Sequence, residues 1–423
     1  MTRAILTESD VAKLVADLVG AGTRVIAPVP AGPDWEQTEY RPIERLEEAV
    51  LDGPLPRRSL KEFFRPSQRQ DDGSALPPQV ILGARPCDAA GAETLDNVMG
   101  WDYRDELWRA RRVATTVVSI ACRRVESSCF CGALGIGPDS TRGADAILVP
   151  LDLTAGPPPS RRRITEQLRR CVDMFLIDSQ PFPGAAELQI ADEVASAQPR
   201  SAMRWAARAV TLKGAALLRG RGAPFTDPAD LDRAGTVVRT ARDLVAKNVD
   251  TLRLRRRRAR LDREAEARLG LMAADGGELI DGSAGFEASG VTRLPEWLAQ
   301  NHDHELWKTL SPRCRSCGNC SAVCSTSPCF DVDEHDAEAR RRRAAKPATD
   351  GGRGAARAPR PMQTEQFRQR VMHKFSIHPR RFHEVLCTGC GRCSRACEGG
   401  MNLPEILGRL VQLAEPEPGR IAT

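Results

Sequence analysis

Cys387-Thr-Gly-Cys390-Gly-Arg-Cys393-Ser-Arg-Ala-Cys397 spaces four thiols by two, two and three residues, and the same spacing occurs upstream at Cys314, Cys317, Cys320 and Cys324. Repetition of one ligand pattern constrains this chain more than any other feature. Thiols at such spacing in a long chain without a secretory signal point to soft metal rather than to disulfides. The remaining residues are read as what supports that pair of loops or connects it to partners.

The spacing is the run that wraps an iron–sulfur cluster in bacterial-type ferredoxins, where three cysteines of each run bind one cluster and the fourth ligates the other. On that rule Cys314, Cys317, Cys320 and Cys397 hold one [4Fe–4S] cluster, and Cys387, Cys390, Cys393 and Cys324 hold a second. Four thiolates leave the iron no open position, so such a site carries electrons and does not bind substrate. Gly318, Gly389 and Gly391 suit loops whose backbone approaches closely. Structural zinc also uses paired C-x2-C units, but a zinc ribbon does not require the third and fourth cysteines at these offsets. The proline that commonly follows the fourth cysteine is replaced by Ser325 and Glu398. The carboxylate of Glu398 beside a cluster predicts a lowered potential.

A third group comprises Cys87, Cys122 and the tight pair Cys129-Phe-Cys131. Cys87 and Cys122 follow apparent strand ends, so the four thiols are candidates for a further cluster; buried free cysteines are the plain alternative. Cys171 lies in an apolar stretch and reads as core, and Cys329 is surplus to the first run. His302 and His304 flank Asp303 and form no metal-binding unit. Gly132-Ala-Leu-Gly-Ile-Gly137 reads as a turn, and neither a dinucleotide fingerprint nor a P-loop is present, so direct NAD(P) or ATP binding has no support.

At 423 residues the chain is too long for a ferredoxin alone. Alternating strands and helices predict an α/β domain over residues 1–200: a helix over 7–20 capped by Thr7 or Ser9, strands at Thr23–Pro28, Gln79–Gly83, Val113–Ala121 and Ala144–Leu151, and Asp88 as a helix cap. A helical region follows over 201–310, with helices at Ala206–Leu218 and Thr236–Leu269. Residues 311–423 form a mainly α-helical, ferredoxin-like two-cluster domain, interrupted by a flexible basic insertion at 340–361. Net charge is a modest +6. The basic run Arg253–Arg260 reads as the charged face of a solvated helix, with an acidic partner surface as the alternative, and no stacking aromatics interleave with the arginines of 340–361, which argues against nucleic-acid binding there. No signal peptide and no apolar run of membrane-spanning length is visible, which predicts a cytoplasmic protein.

The ordered set Gly83-Ala-Arg-Pro-Cys87-Asp, Cys122 with Cys129-Phe-Cys131-Gly, Cys314 to Phe330-Asp, His373-Lys-Phe and the final run resembles the 4Fe–4S dicluster proteins. That family includes the beta subunit of cytoplasmic [NiFe] hydrogenases (sulfhydrogenases) and the corresponding iron–sulfur subunit of anaerobic sulfite reductase. The resemblance implies a non-catalytic electron-transfer subunit, placed between a catalytic oxidoreductase subunit on one side and, on the other, a flavin- and NAD(P)-binding subunit. It also implies a cluster at Cys87, Cys122, Cys129 and Cys131. Ser327 stands where the family often has cysteine, and the basic insertion departs from it. Two rivals remain: substrate reduction at the Cys87 group, for which no acid–base pair is evident, and a zinc- or cluster-stabilised nucleic-acid binder using the arginine runs.

Overall fold

The computed structural model describes residues 3–31, 37–64, 76–102, 104–151, 203–225, 227–258, 293–328 and 363–414. Cys171, Cys329, the insertion 340–361 and the end of the basic run at 259–260 lie outside these residues.

One eight-stranded sheet dominates the first half. Its strands are β1 (Arg3–Thr7), β2 (Arg24–Pro30), β3 (Thr38–Ile43), β4 (Gln79–Ala84), β5 (Thr115–Ile120), β6 (Ala146–Pro150), β7 (Arg204–Ala209) and β8 (Ala223–Pro224), in the order β3-β2-β4-β5-β6-β7-β1-β8. The central four run parallel, and the flanking pairs are antiparallel. Parallel strands covered on both faces read as nearly continuous apolar runs, and β4 is buried throughout. Alternate side chains separate the layers. Val25, Val80 and Val118 pack with Val11 and Val15 of helix α1 (Glu8–Gly20). Ile26, Ile81 and Val117 face Ala89 and Leu95 of helix α2 (Pro86–Met99) and Trp108 of helix α3 (Glu106–Val113).

Thr7 does cap α1, through a reciprocal box with Asp10. Asp88 does not cap α2: Pro86 occupies the first turn with its pre-set φ, which leaves Asp88 buried inside the helix. Residues 206–209, expected to be helical, lie in β7, and the helix begins only at Leu212. The alanine-rich stretch carries no decisive period, and pairing with both β1 and β6 decides its conformation.

The second half is helical. Short helices at Leu294–Gln300, Leu306–Leu310, Gln363–Met372 and Leu403–Ala414 enclose a core of Leu298, Trp307, Phe367, Phe375 and Leu410. Phe130 and Leu134, from the loop after β5, belong to this same core. The sheet region thus contributes apolar anchors to the helical region, each fully buried aromatic being worth roughly 2–3 kcal/mol. No described helix is long and apolar enough to cross a membrane.

Candidate metal centre

The cysteines of the sheet region sit where an open α/β sheet carries its sites, beyond the carboxyl ends of parallel strands. Cys87 follows β4 and Cys122 follows β5, with the Cys122 N–H held by the Pro138 carbonyl at 2.8 Å. Cys129 and Cys131 flank Phe130, whose ring enters the helical core. These thiols face one another. Burial, then Cys122 and Cys390, push the Cys129 thiol up to about 12. Burial, then Cys129 and Cys122, push Cys131 well above the ordinary thiol range. Cys87, raised by burial and by Asp88, also neighbours Cys390 and Cys122.

The final cysteine run lies directly on this group. The Phe130 N–H donates to the Gly389 carbonyl at 2.8 Å, and the Cys129 thiol lies 3.7 Å from the Cys390 carbonyl. Cys390 packs with Cys87 and Leu55. Two glycines permit the approach. Gly389 and Gly391 have φ of +65° and +71°, and added Cβ atoms would meet the Cys131 Cα at 2.6 Å and the Ser128 carbonyl oxygen at 2.2 Å.

The fourth cysteine of each run lies near the other run. Cys324 neighbours Cys387 and Cys393, and Cys397 lies beside the start of the first run, where a Cβ on Gly399 would stand 1.9 Å from the Arg313 carbonyl oxygen and 3.8 Å from the Cys397 sulfur. Cys314, Cys317 and Cys320 neighbour one another, and Cys317 is exposed. The twelve described cysteines are all free thiols. Among the described residues, no three His, Cys, Asp or Glu side chains close tightly enough to hold a single metal ion.

Buried cations accompany the inner thiols. The Lys374 ammonium donates to the Cys324 sulfur at 3.2 Å, the Thr326 hydroxyl at 3.2 Å and the Leu386 carbonyl at 2.9 Å. Burial alone would raise the Cys324 thiol, but Lys374 and Thr326 more than offset it and bring it down to about 6. Arg370 reaches the Cys320 carbonyl at 3.4 Å and faces Cys320, Cys393 and Cys324, while its buried Nε has no acceptor among the described residues. A buried cation without a carboxylate requires anionic company. Converging thiolates on an iron–sulfur group fit that requirement.

Sequence reasoning missed Lys374, Arg370 and the pairing of Asp88 with Arg392. Two other expectations take new form. Ser325, where a proline is common, donates to or accepts from Thr388 at 3.1 Å, and its Cβ would be only 2.6 Å from a Cβ on Gly91. Glu398 is 63% exposed and lies 3.7 Å from Arg315, so solvent and a counter-ion weaken its field at the thiols. His302 and His304 stay outside the thiol groups: His302 contacts Asp303, and His304 accepts from the Leu306 N–H.

The doubled four-cysteine segment thus lies against the strand ends of the α/β sheet. Residues 313–401 match the family described as 4Fe-4S dicluster domain. Over 109 residues the chain is 29% identical to sulfhydrogenase 2 subunit beta of Pyrococcus furiosus, a match covering 24% of this chain and 32% of that relative. The chain therefore aligns with about a third of the relative's length.

Proposed function

We propose that this chain is a relay for single electrons within a larger oxidoreductase assembly, with three metal centres arranged in a line. The observation that carries the proposal is the sequence of contacts among the thiol groups. Cys314, Cys317, Cys320 and Cys397 form the outer centre, Cys324, Cys387, Cys390 and Cys393 the inner one, and Cys87, Cys122, Cys129 and Cys131 the third. Arg370 spans outer and inner thiols, and Cys390 spans the inner and third groups. A [4Fe–4S] cluster, when bound, supplies a one-electron carrier of tunable potential. The protein's own work is to supply thiolates, to exclude water from the inner two groups, and to hold all three within one packed body.

The exposed edge at Cys317 supports docking of an electron donor or acceptor there. The proposed neighbours are a catalytic oxidoreductase subunit together with a flavin- and NAD(P)-binding subunit, in line with the relative's name as a sulfhydrogenase subunit. The chain itself is proposed to be non-catalytic and cytoplasmic.

Anaerobic purification followed by iron, sulfide and zinc analysis tests the reading. Three tetranuclear clusters require ~12 irons per chain, and ~8 would leave the strand-end cysteines as plain thiols. Zinc without sulfide would overturn the relay altogether. Co-purification under the same conditions identifies the neighbours.

A further inference from the structure

The buried charges around the inner thiols are not alike. Arg392 is 1% exposed, but Asp88 neutralises it through two 2.6 Å contacts. Lys374 is 5% exposed, and its described partners are two neutral oxygens and the Cys324 sulfur. No carboxylate faces it among the described residues. The other charged or titratable groups around it are Arg370, itself a cation, and the thiols Cys324 and Cys387. Thr326, which also donates to the Leu386 carbonyl at 2.7 Å, fixes the pocket in which the ammonium sits. Lys374 therefore presents an uncompensated positive charge to one thiol group, in a place that water does not screen.

The outer thiols have a different setting. Cys317 is exposed, and the nearest described ion pair there, Arg315 with Glu398, is internally neutral and more than half exposed on each side; the buried cation Arg370 is shared, facing Cys320 as well as Cys393 and Cys324, so Lys374 is the charge that distinguishes the two groups. A fixed cation stabilises the reduced, more negative form of a redox centre. We infer that Lys374 is a potential-setting residue that makes the inner centre the more readily reduced of the crossed pair, giving the relay a downhill direction from the solvent-facing thiols inward. In that step one electron leaves the centre held by Cys314, Cys317, Cys320 and Cys397 and arrives at the centre held by Cys324, Cys387, Cys390 and Cys393. The first is oxidised, the second is reduced, and no atom is transferred. This inference rests on the relay reading, and it adds the residue that orders the two potentials.

The test is a potentiometric titration of the full chain with dithionite, followed by electron paramagnetic resonance. Lys374→Met is expected to lower one midpoint by about tenfold in the reduction equilibrium, 59 mV for a one-electron couple. Lys374→Arg, which retains the charge, is expected to restore most of the shift. A wild-type chain without cluster signals removes the relay reading, and this inference with it. Clusters present in both proteins with every midpoint unmoved leave the relay standing and overturn the role of Lys374. Should Lys374→Met fail to load its inner centre, the wild type decides. Cys317→Ser disturbs the outer signal selectively and so assigns the midpoints. An inner midpoint above the outer one supports the inference, and the reverse order overturns it.

Discussion

Arg392 and Asp88, 304 positions apart in the chain, form a buried bidentate pair in which each guanidinium Nη meets a carboxylate oxygen at 2.6 Å. The Arg392 Nε donates to the Pro56 carbonyl at 2.7 Å, and the Tyr40 hydroxyl donates to Asp88 at 2.9 Å. The pair thus joins the final cysteine run to the helix that begins at Pro86, one residue from Cys87. Asp88→Ala strands a buried guanidinium and is expected to cost about 3–5 kcal/mol. Arg392→Met with Asp88→Leu removes both charges and is expected to cost clearly less, as read from denaturation midpoints. A double variant no better than the single would contradict this account.

Gly389 and Gly391 combine positive φ with backbone contacts that leave no room for a methyl group. Each glycine-to-alanine substitution is expected to lose about 1–3 kcal/mol from strain alone. Bound iron should fall as well, because the loop cannot seat on Ser128–Cys131. Gly22→Ala, which has positive φ but open space around it, serves as the comparison and is expected to leave iron content intact.

Phe130 is 3% exposed and belongs to the helical core although it lies on the sheet's loop. Phe130→Ala is expected to cost about 3–5 kcal/mol. A single cooperative unfolding transition, lowered as a whole, is the expected trace. Two separated transitions in the wild type would show that the anchor does not couple the regions.

His378 is held below the ordinary imidazole value of 6.5 by burial, and its Nε2 has no partner among the described residues. The folded state therefore takes up a proton less readily than the unfolded one. Its contribution to stability is complete above about pH 6.5 and is lost as pH falls through the lower folded value. Denaturation at pH 7.5 and pH 5.5 is expected to show a drop that His378→Gln reduces. An identical drop in the variant would assign it elsewhere.

Glu398→Gln is expected to move a midpoint upward, but by less than Lys374→Met moves one downward. Glu398 is exposed and faces Arg315, whereas Lys374 is enclosed. Redox titration of the two variants side by side checks the order.

Much of the sheet was legible because its central strands are apolar runs flanked by turn residues, and Thr7 announces the first helix. The remaining strands were not. β7 is an alanine-rich segment that suits either conformation, and β8 is two residues long. The cysteine runs were legible as candidate ligands because their spacing is a local property. Cys87, Cys122, Cys129 and Cys131 could be grouped as candidates from apparent strand ends, but their meeting required the topology, since nothing in the sequence states that β4 and β5 lie side by side. The His373-Lys-Phe motif was visible, but the meaning of its lysine depends on Cys324, fifty positions away.

The seating of Gly389 on Phe130 has a consequence for how the protein is made. Cys390 emerges from the ribosome 261 residues after Cys129, so the sheet must wait, its strand-end thiols uncovered, until the last run arrives. Closure of the final cysteine run over the Cys129–Cys131 loop is thereby a late event, after the sheet has been synthesised. Cutting the chain near residue 310 should yield neither a free-standing sheet protein nor a free-standing ferredoxin, because each fragment would expose the wall that the other supplies.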